Sequence, residues 1–286
     1  MIDYTNIKSV ESDIRFERLN ETTFKFHRNG VEDSPTNIFI ENASDVLLNS
    51  ELSSVDPEVI AAFAQFKETP QYQVGKVVQI NDKSWEELMD TYETLMIGLC
   101  LSIGSSQLAE KRIHSILSWL RSTDFYIAPA SSIYHESYVS GLLVHTLNVY
   151  NNMVLLLQAP QFYNVSVYSI ALVSLTHDWC KIGLYETYEK NVKNEGTGQW
   201  EKVKAFRKNQ TGAPLGHGAT SMFLVQRMFP NITLEEACAI RWHQARWNVC
   251  REEIDELQLA NETYPLVHML QFADQLAITQ YANAKI

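Results

Sequence analysis

The stretch Ser174-Leu175-Thr176-His177-Asp178-Trp179-Cys180-Lys181 closes an apolar run that begins at Ile170-Ala171-Leu172-Val173. The run sends the segment into a core and delivers a histidine and an aspartate side by side at its end. Neighbouring helical positions point about 100° apart, so both side chains reach one centre only at a helix terminus or kink. Polar groups at the end of a core helix must be satisfied there, by a hydrogen-bond network or by a metal ion. His-Asp alone is a common dipeptide and does not decide between the two. What decides is which other groups converge on it.

The 286-residue chain can hold one large domain, or one domain with a smaller companion. Its 45% apolar and 20% charged residues are ordinary for a globular protein. The longest apolar stretch considered, Met153 to Leu157, falls far short of the roughly 20 residues that span a bilayer. Met1-Ile2-Asp3-Tyr4 lacks the basic start and apolar core of a signal peptide. Four cysteines (Cys100, Cys180, Cys238, Cys250) show no paired spacing, so a reducing, cytoplasmic setting is expected, with no membrane partner. A net charge of −11 argues against a general nucleic-acid coat but leaves room for a local basic groove.

Residues 1–82 are mixed and form a separate N-terminal region of no assigned role. Thr23 to Arg28 alternates like a short strand, Asn29-Gly30 signals a turn, and Asn37-Ile38-Phe39-Ile40 is a second strand candidate. Asp56-Pro57 opens a capped helix. From residue 83 to 286 the pattern is helical. Trp85, Leu88, Met89, Tyr92, Leu95 and Met96 recur at three- and four-residue intervals, and Ile113, Ile116, Leu117 and Leu120 repeat the pattern. Further helices are expected at about 138–157, 165–179, 217–228, 234–243 and 264–281. An insertion at about 187–214 interrupts them. There Asn194 to Gly198 is a turn between Tyr188–Val192 and Trp200–Phe206, the pattern of a β-hairpin. Six basic residues, Lys190, Lys193, Lys202, Lys204, Arg207 and Lys208, face only Glu195 and Glu201 between positions 190 and 208. That is either a solvated hairpin or a flap that attracts phosphate. The fold expected is mainly α, with a β-hairpin insertion and a small mixed α/β N-terminal region.

Five helices each supply a side chain of the metal-ligating kind: His145, the pair His177 and Asp178, His217, His243 and Asp274. A lone histidine on an apolar face is more often a satisfied core residue than a ligand. Asp274, inside Leu270-Gln271-Phe272-Ala273-Asp274-Gln275-Leu276-Ala277, is harder to account for, because a buried carboxylate must find a cation. Four histidines and two aspartates together favour metal, and the mix suits iron, manganese or zinc.

These residues carry a resemblance. The order His145, His177-Asp178, Asp274, with His217 and His243 between, is similar to the two-metal subset of the HD superfamily of metal-dependent phosphohydrolases. Ala128-Pro129-Ala130, His135, Tyr138, Gly141-Leu142-Leu143, His145-Thr146-Leu147, Lys181, Gly216-His217-Gly218 and Phe272-Ala273-Asp274 resemble an HD family of bacteria and phages. The catalytic domain of YhaM-type 3′→5′ exoribonucleases is a relative of it. The resemblance covers about residues 110–280 and implies an HD-domain helical bundle. It assigns a first metal to His145, His177, Asp178 and Asp274, and a second to His217 and His243, with Asp178 as the bridge. It implies two divalent ions, iron or manganese foremost, with magnesium, zinc, nickel or cobalt as substitutes in vitro.

The activity it implies is hydrolysis of a phosphoester, in a nucleotide or short oligonucleotide, by metal-activated water. Lys181 would stabilise charge growing on a phosphate oxygen, and its alternative is a lysine at a helix end. His135 would protonate the leaving oxygen. Tyr138, Lys204, Arg207, Arg241 and Arg246 are the candidate substrate contacts, each with a surface role as its alternative. The partner expected is a small phosphorylated substrate. Three rivals stand beside this function: a 3′→5′ exonuclease on single-stranded nucleic acid, a diiron oxygenase with the same ligand set, and a non-catalytic module stabilised by metal.

Overall fold

A computed structural model describes residues 14–19, 23–28, 37–40, 57–102, 106–133, 136–162, 164–209 and 215–282. It opens with three strands, β1 (Ile14–Arg18), β2 (Thr23–Arg28) and β3 (Asn37–Ile40), followed by α1 (Pro57–Lys67) and the single turn α2 (Pro70–Gln73). The helical part begins with α3 (Trp85–Ser102), α4 (Ser106–Arg121), α5 (Gly141–Leu156) and α6 (Val167–Thr176). The hairpin β4 (Tyr185–Lys193) and β5 (Trp200–Lys208) comes next. After it come α7 (His217–Met228), α8 (Leu234–Trp242), α9 (Ile254–Thr263) and α10 (Pro265–Ala282). The protein is mainly helical, with two small antiparallel sheets.

Helices α5 and α6 are the centre of the bundle. Leu142, Leu143, Leu147, Val149, Tyr150 and Met153 of α5 are fully buried, and every α6 residue from Ile170 to Thr176 is buried. A helix apolar on all sides belongs inside a protein. Helix α5 packs against α6 and α10, while α8 packs on α10, α7 and α6. The Asn152 side-chain amide donates to Ala273 O at 3.0 Å, which fixes α5 against α10 beside Asp274. The Tyr92 hydroxyl donates to Leu175 O at 3.0 Å and receives the Trp179 indole N–H at 3.3 Å. These bonds tie α3 to both sides of the break after α6. Buried Glu93 binds the Arg121 guanidinium with both oxygens and accepts the Tyr126 hydroxyl at 3.0 Å, joining α3, α4 and the loop beyond. Ser84 and Glu87 cap α3 reciprocally, as Thr233 and Glu236 cap α8.

The N-terminal strands pair in the order β1-β2-β3, all antiparallel. Phe16, Phe24, Phe26, Val59, Phe63 and Tyr72 form a second, smaller core under that sheet. Buried Arg18 donates to Tyr72 O at 2.7 Å and Val74 O at 2.9 Å, and lies over the Phe24 and Tyr72 rings. The Gly75 N–H donates to the Tyr150 hydroxyl at 2.8 Å and links this part to α5.

Several boundaries differ from the expected ones. Helix α5 starts at Gly141 rather than 138, because Ser140 has φ +69° and turns the chain just before it. Helix α6 stops at Thr176, and Trp179–Lys181 form a separate 3₁₀ turn. The strands of the hairpin extend to Tyr185 and Lys208, and the turn at 194–198 lies where expected. Strand β1 and helix α9 are additions. The Asn29-Gly30 turn and the Asp56 cap lie outside the described residues. No described helix is long and apolar enough to cross a membrane.

Candidate metal centre

Each metal-type residue sits at an end or a packed face of its helix. His145 follows the first turn of α5. His177 is the C-terminal cap of α6, and Asp178, at φ −106° and ψ 17°, leaves helical geometry. This break lets the two neighbouring side chains face one centre. His217 opens α7, His243 caps the end of α8, and Asp274 projects from the middle of α10. Gly216 and Gly218 explain how His217 meets His243. Gly216 has φ +84°, a left-handed conformation that favours glycine. A Cβ on Gly218 would lie 2.0 Å from Arg241 O, so the start of α7 touches the end of α8 backbone to backbone.

The four imidazoles form a chain, with centroids 5.5 Å apart for His145 and His177, and 5.0 Å for His177–His243 and His217–His243. The Asp178 carboxylate lies among them and divides them. Oδ2 is 3.4 Å from His145 Nε2 and 3.4 Å from His177 Nε2. Oδ1 is 2.8 Å from His217 Nε2 and 3.5 Å from His243 Nε2. Asp274 Oδ1 adds to the first group, 3.0 Å from His145 Nε2. Two clusters that could each hold a metal ion result, His145-His177-Asp178 and Asp178-His217-His243.

The tautomers fit a metal. His177 Nδ1 donates to Ser174 O at 2.8 Å, and His243 Nδ1 donates to Ile240 O at 2.7 Å. A carbonyl only accepts, so these nitrogens carry protons, and a ring held in this way offers Nε2 as its ligating atom when neutral. Both Nε2 atoms are buried and lack a hydrogen-bond partner among the described residues. For the ring that burial keeps neutral, His177, a lone pair facing a carboxylate oxygen at such range is repulsive unless a cation lies between them. Backbone orientation of the far nitrogen is the usual support of a metal-binding histidine.

The electrostatics agree. Burial holds His177 neutral and brings His217 down to about 4, so both are ready to ligate at neutral pH. Burial opposes charge on His145, but Asp178 and Asp274 outweigh it and lift this group to about 9. Burial disfavours the Asp178 anion, yet Lys181 and the imidazoles hold its carboxyl well below the usual range. Asp274 is held down against burial by His145 above all. Lys181 itself is buried, with Nζ 2.6 Å from Asp178 Oδ2, and the carboxylate raises its pKa against the effect of burial.

The six metal-type residues and Lys181 therefore come together. The candidate substrate contacts are more dispersed. His135 lies outside the described residues. Tyr138 is exposed just before α5. Lys204 is exposed on β5, and Arg207 bonds Glu186 at 2.7 Å. Arg241 bonds Glu253 and stacks 4.0 Å over the Trp242 ring, while Arg246 is exposed in the turn after α8. Two neighbours of the centre carried no signal in the spacing. Glu136 is buried in the loop before α5, with Oε2 3.8 Å from His145 Nδ1, and burial raises its pKa. Cys180 Sγ lies 3.3 Å from His217 Nδ1. No protein-family model matches the chain, and no curated protein or solved structure matches it.

Proposed function

We propose that the chain is a metal-dependent phosphohydrolase of the HD type, with two divalent ions, cleaving a phosphoester of a nucleotide or short oligonucleotide. One observation carries this reading: the two oxygens of Asp178 face different histidine pairs, His145 and His177 on one side and His217 and His243 on the other. A single ion has no use for that division, whereas two ions sharing a carboxylate require it. Bound there, such ions neutralise phosphate charge and activate water. His145, His177, Asp178 and Asp274 would hold one ion, and His217, His243 and Asp178 the other. Lys181 keeps Asp178 anionic and adds a positive charge beside the reacting phosphate. The net charge of −11 favours a small substrate over a long polyanion. The test is metal analysis of the purified protein, followed by phosphate release from a nucleotide panel. Two bound ions and metal-dependent release are expected. Absence of release across nucleotides and oligonucleotides, with both ions present, would overturn the reading.

The hairpin favours a second reading, the exonuclease. Strand pairing puts Lys193, Lys202, Lys204 and Lys208 on one face with Tyr185, Phe206 and Trp200, against one acid, Glu189. Trp200 is 71% exposed, and Tyr185 lies close enough to Lys181 to feel its charge. Lysines interleaved with aromatic rings suit a single strand, whose bases stack while its phosphates pair. Such a strand would lead from the hairpin to the metal-type cluster. Release of mononucleotides from a labelled single-stranded oligomer supports this reading, and an unchanged oligomer removes it.

A further inference from the structure

Glu136 combines two costly features. Its φ is +40°, a conformation uncommon outside glycine, and its carboxylate is buried with neither oxygen hydrogen-bonded among the described residues. The backbone has its own task. Glu136 O accepts the Ala130 N–H at 3.1 Å, and Gly141 packs so closely on it that a Cβ there would lie 1.9 Å away. That task needs no side chain, and glycine would perform it with less strain. The carboxylate therefore needs a separate explanation. Oε2 is 3.8 Å from Nδ1 of His145, on the side of the ring opposite Nε2, which faces Asp178 and Asp274. The imidazole stands between Glu136 and the cluster, so Glu136 addresses the histidine rather than an ion.

We infer that Glu136 is a positioning residue of the metal centre, accepting a hydrogen bond from His145 Nδ1 and so aiming the Nε2 lone pair between Asp178 and Asp274. A small turn of either side chain closes the 3.8 Å gap to a hydrogen bond. The arrangement gives His145 a carboxylate where His177 and His243 have the carbonyls of Ser174 and Ile240. A carboxylate partner raises the basicity of the ligating nitrogen more than a carbonyl does. The inference rests on the metal reading of the site.

The test uses the full chain, stripped of metal and titrated with Co²⁺, comparing wild type with Glu136→Gln and Glu136→Ala. Calorimetry gives affinity, the visible spectrum of bound Co²⁺ reports ligand geometry, and thermal melting reports the metal-free fold. Glu136→Ala is expected to weaken the ion held by His145 roughly 10–100-fold and to alter the spectrum. Glu136→Gln keeps an acceptor oxygen and should recover part of the affinity. Metal-free melting is read in both variants as well, because Glu136 also neighbours His145, 3.8 Å away, in the absence of an ion. Wild-type affinity and spectrum in both variants would overturn the inference. So would a lower metal-free melting temperature in Glu136→Gln with Co²⁺ binding unchanged. A wild-type chain that takes up no Co²⁺ would remove the metal reading itself, and this inference with it.

Discussion

Lys181 Nζ lies 2.6 Å from Asp178 Oδ2, and both side chains are buried. The lysine thus contacts the carboxylate that also faces four histidines. Among the described residues, Asp178 is the anion common to both halves of the cluster. Asp178→Ala is expected to abolish binding of both ions and all hydrolysis together. It should also destabilise the metal-free fold by about 3–5 kcal/mol, because it leaves a buried lysine without its counter-charge. Metal analysis and thermal melting check this, and full metal occupancy in the variant would sink the bridging assignment.

Lys181→Ala separates binding from chemistry. The lysine is a cation and cannot ligate metal in its charged form, so the variant should retain both ions. Turnover should fall roughly 10²-fold or more, the usual effect of losing a group that stabilises developing negative charge. Undiminished turnover at full metal occupancy would count against a phosphate role and leave Lys181 as the counter-ion of Asp178.

The protonation of His145 makes the metal-free protein sensitive to pH. Its pKa is lifted from 6.5 to about 9 in the fold. A group raised in this way stabilises fully below its unfolded value and loses that contribution as pH climbs through its folded value. Metal-free protein should therefore lose stability between about pH 6.5 and 9, on the order of a few kcal/mol. Bound metal replaces that proton, so the loss should vanish in the loaded protein, and loading should release protons at pH 7. Melting curves with and without chelator test this. Parallel pH profiles would show that His145 carries no exchangeable proton at the centre.

The residues that form the two His/Asp clusters were legible in the chain because they lie within apolar helices or at the ends of helices that pack into the core. Asp274 lies among Ala273, Leu270 and Ala277, where a carboxylate needs a cationic partner, and the fully buried run of α6 points His177-Asp178 inward. Helix α9 was not legible, since it buries only Leu257 and Ala260 and shows no continuous apolar stripe. Strand β1 is five residues long, and its buried side includes Arg18, which reads as a surface residue until its carbonyl and aromatic partners are seen. Glu136 belongs to a loop, where no period exists to mark which way a side chain points. Arg207 and Arg241 looked available for phosphate because their acidic partners, Glu186 and Glu253, lie 21 and 12 residues away in sequence.

The hairpin offers a test between a small substrate and a single strand. Trp200→Ala combined with Lys193→Ser and Lys204→Ser alters one exposed face of the hairpin and none of the six His/Asp residues. If single strands run along it, KM for a labelled oligonucleotide should rise roughly 10-fold or more, given the usual worth of one stacked base and the salt-sensitive phosphate contacts. Hydrolysis of a small chromogenic phosphodiester should stay at the wild-type rate. Equal KM values for the oligonucleotide would assign the hairpin no part in substrate binding.

Gly218 offers a way to disturb one half of the centre and spare the other. A Cβ at this position would meet Arg241 O at 2.0 Å and Ile240 O at 3.0 Å. Both are backbone atoms of α8, so neither can swing aside as a side chain would. Ile240 O also receives the Nδ1 proton of His243. Gly218→Ala must therefore push α7 from α8, widen the spacing of His217 and His243, and loosen the carbonyl that aims His243. The expected cost to the fold is about 1–3 kcal/mol, the usual range for overpacking. His145, His177 and Asp274 come from α5, the end of α6 and α10 and not from the α7–α8 contact itself, so the first ion should be held. Calorimetric titration should show a change from two ions to one, or a second ion bound at least 10-fold more weakly, with hydrolysis lost. Retention of both ions at wild-type affinity would mean that the α7–α8 contact does not set the geometry of the second site.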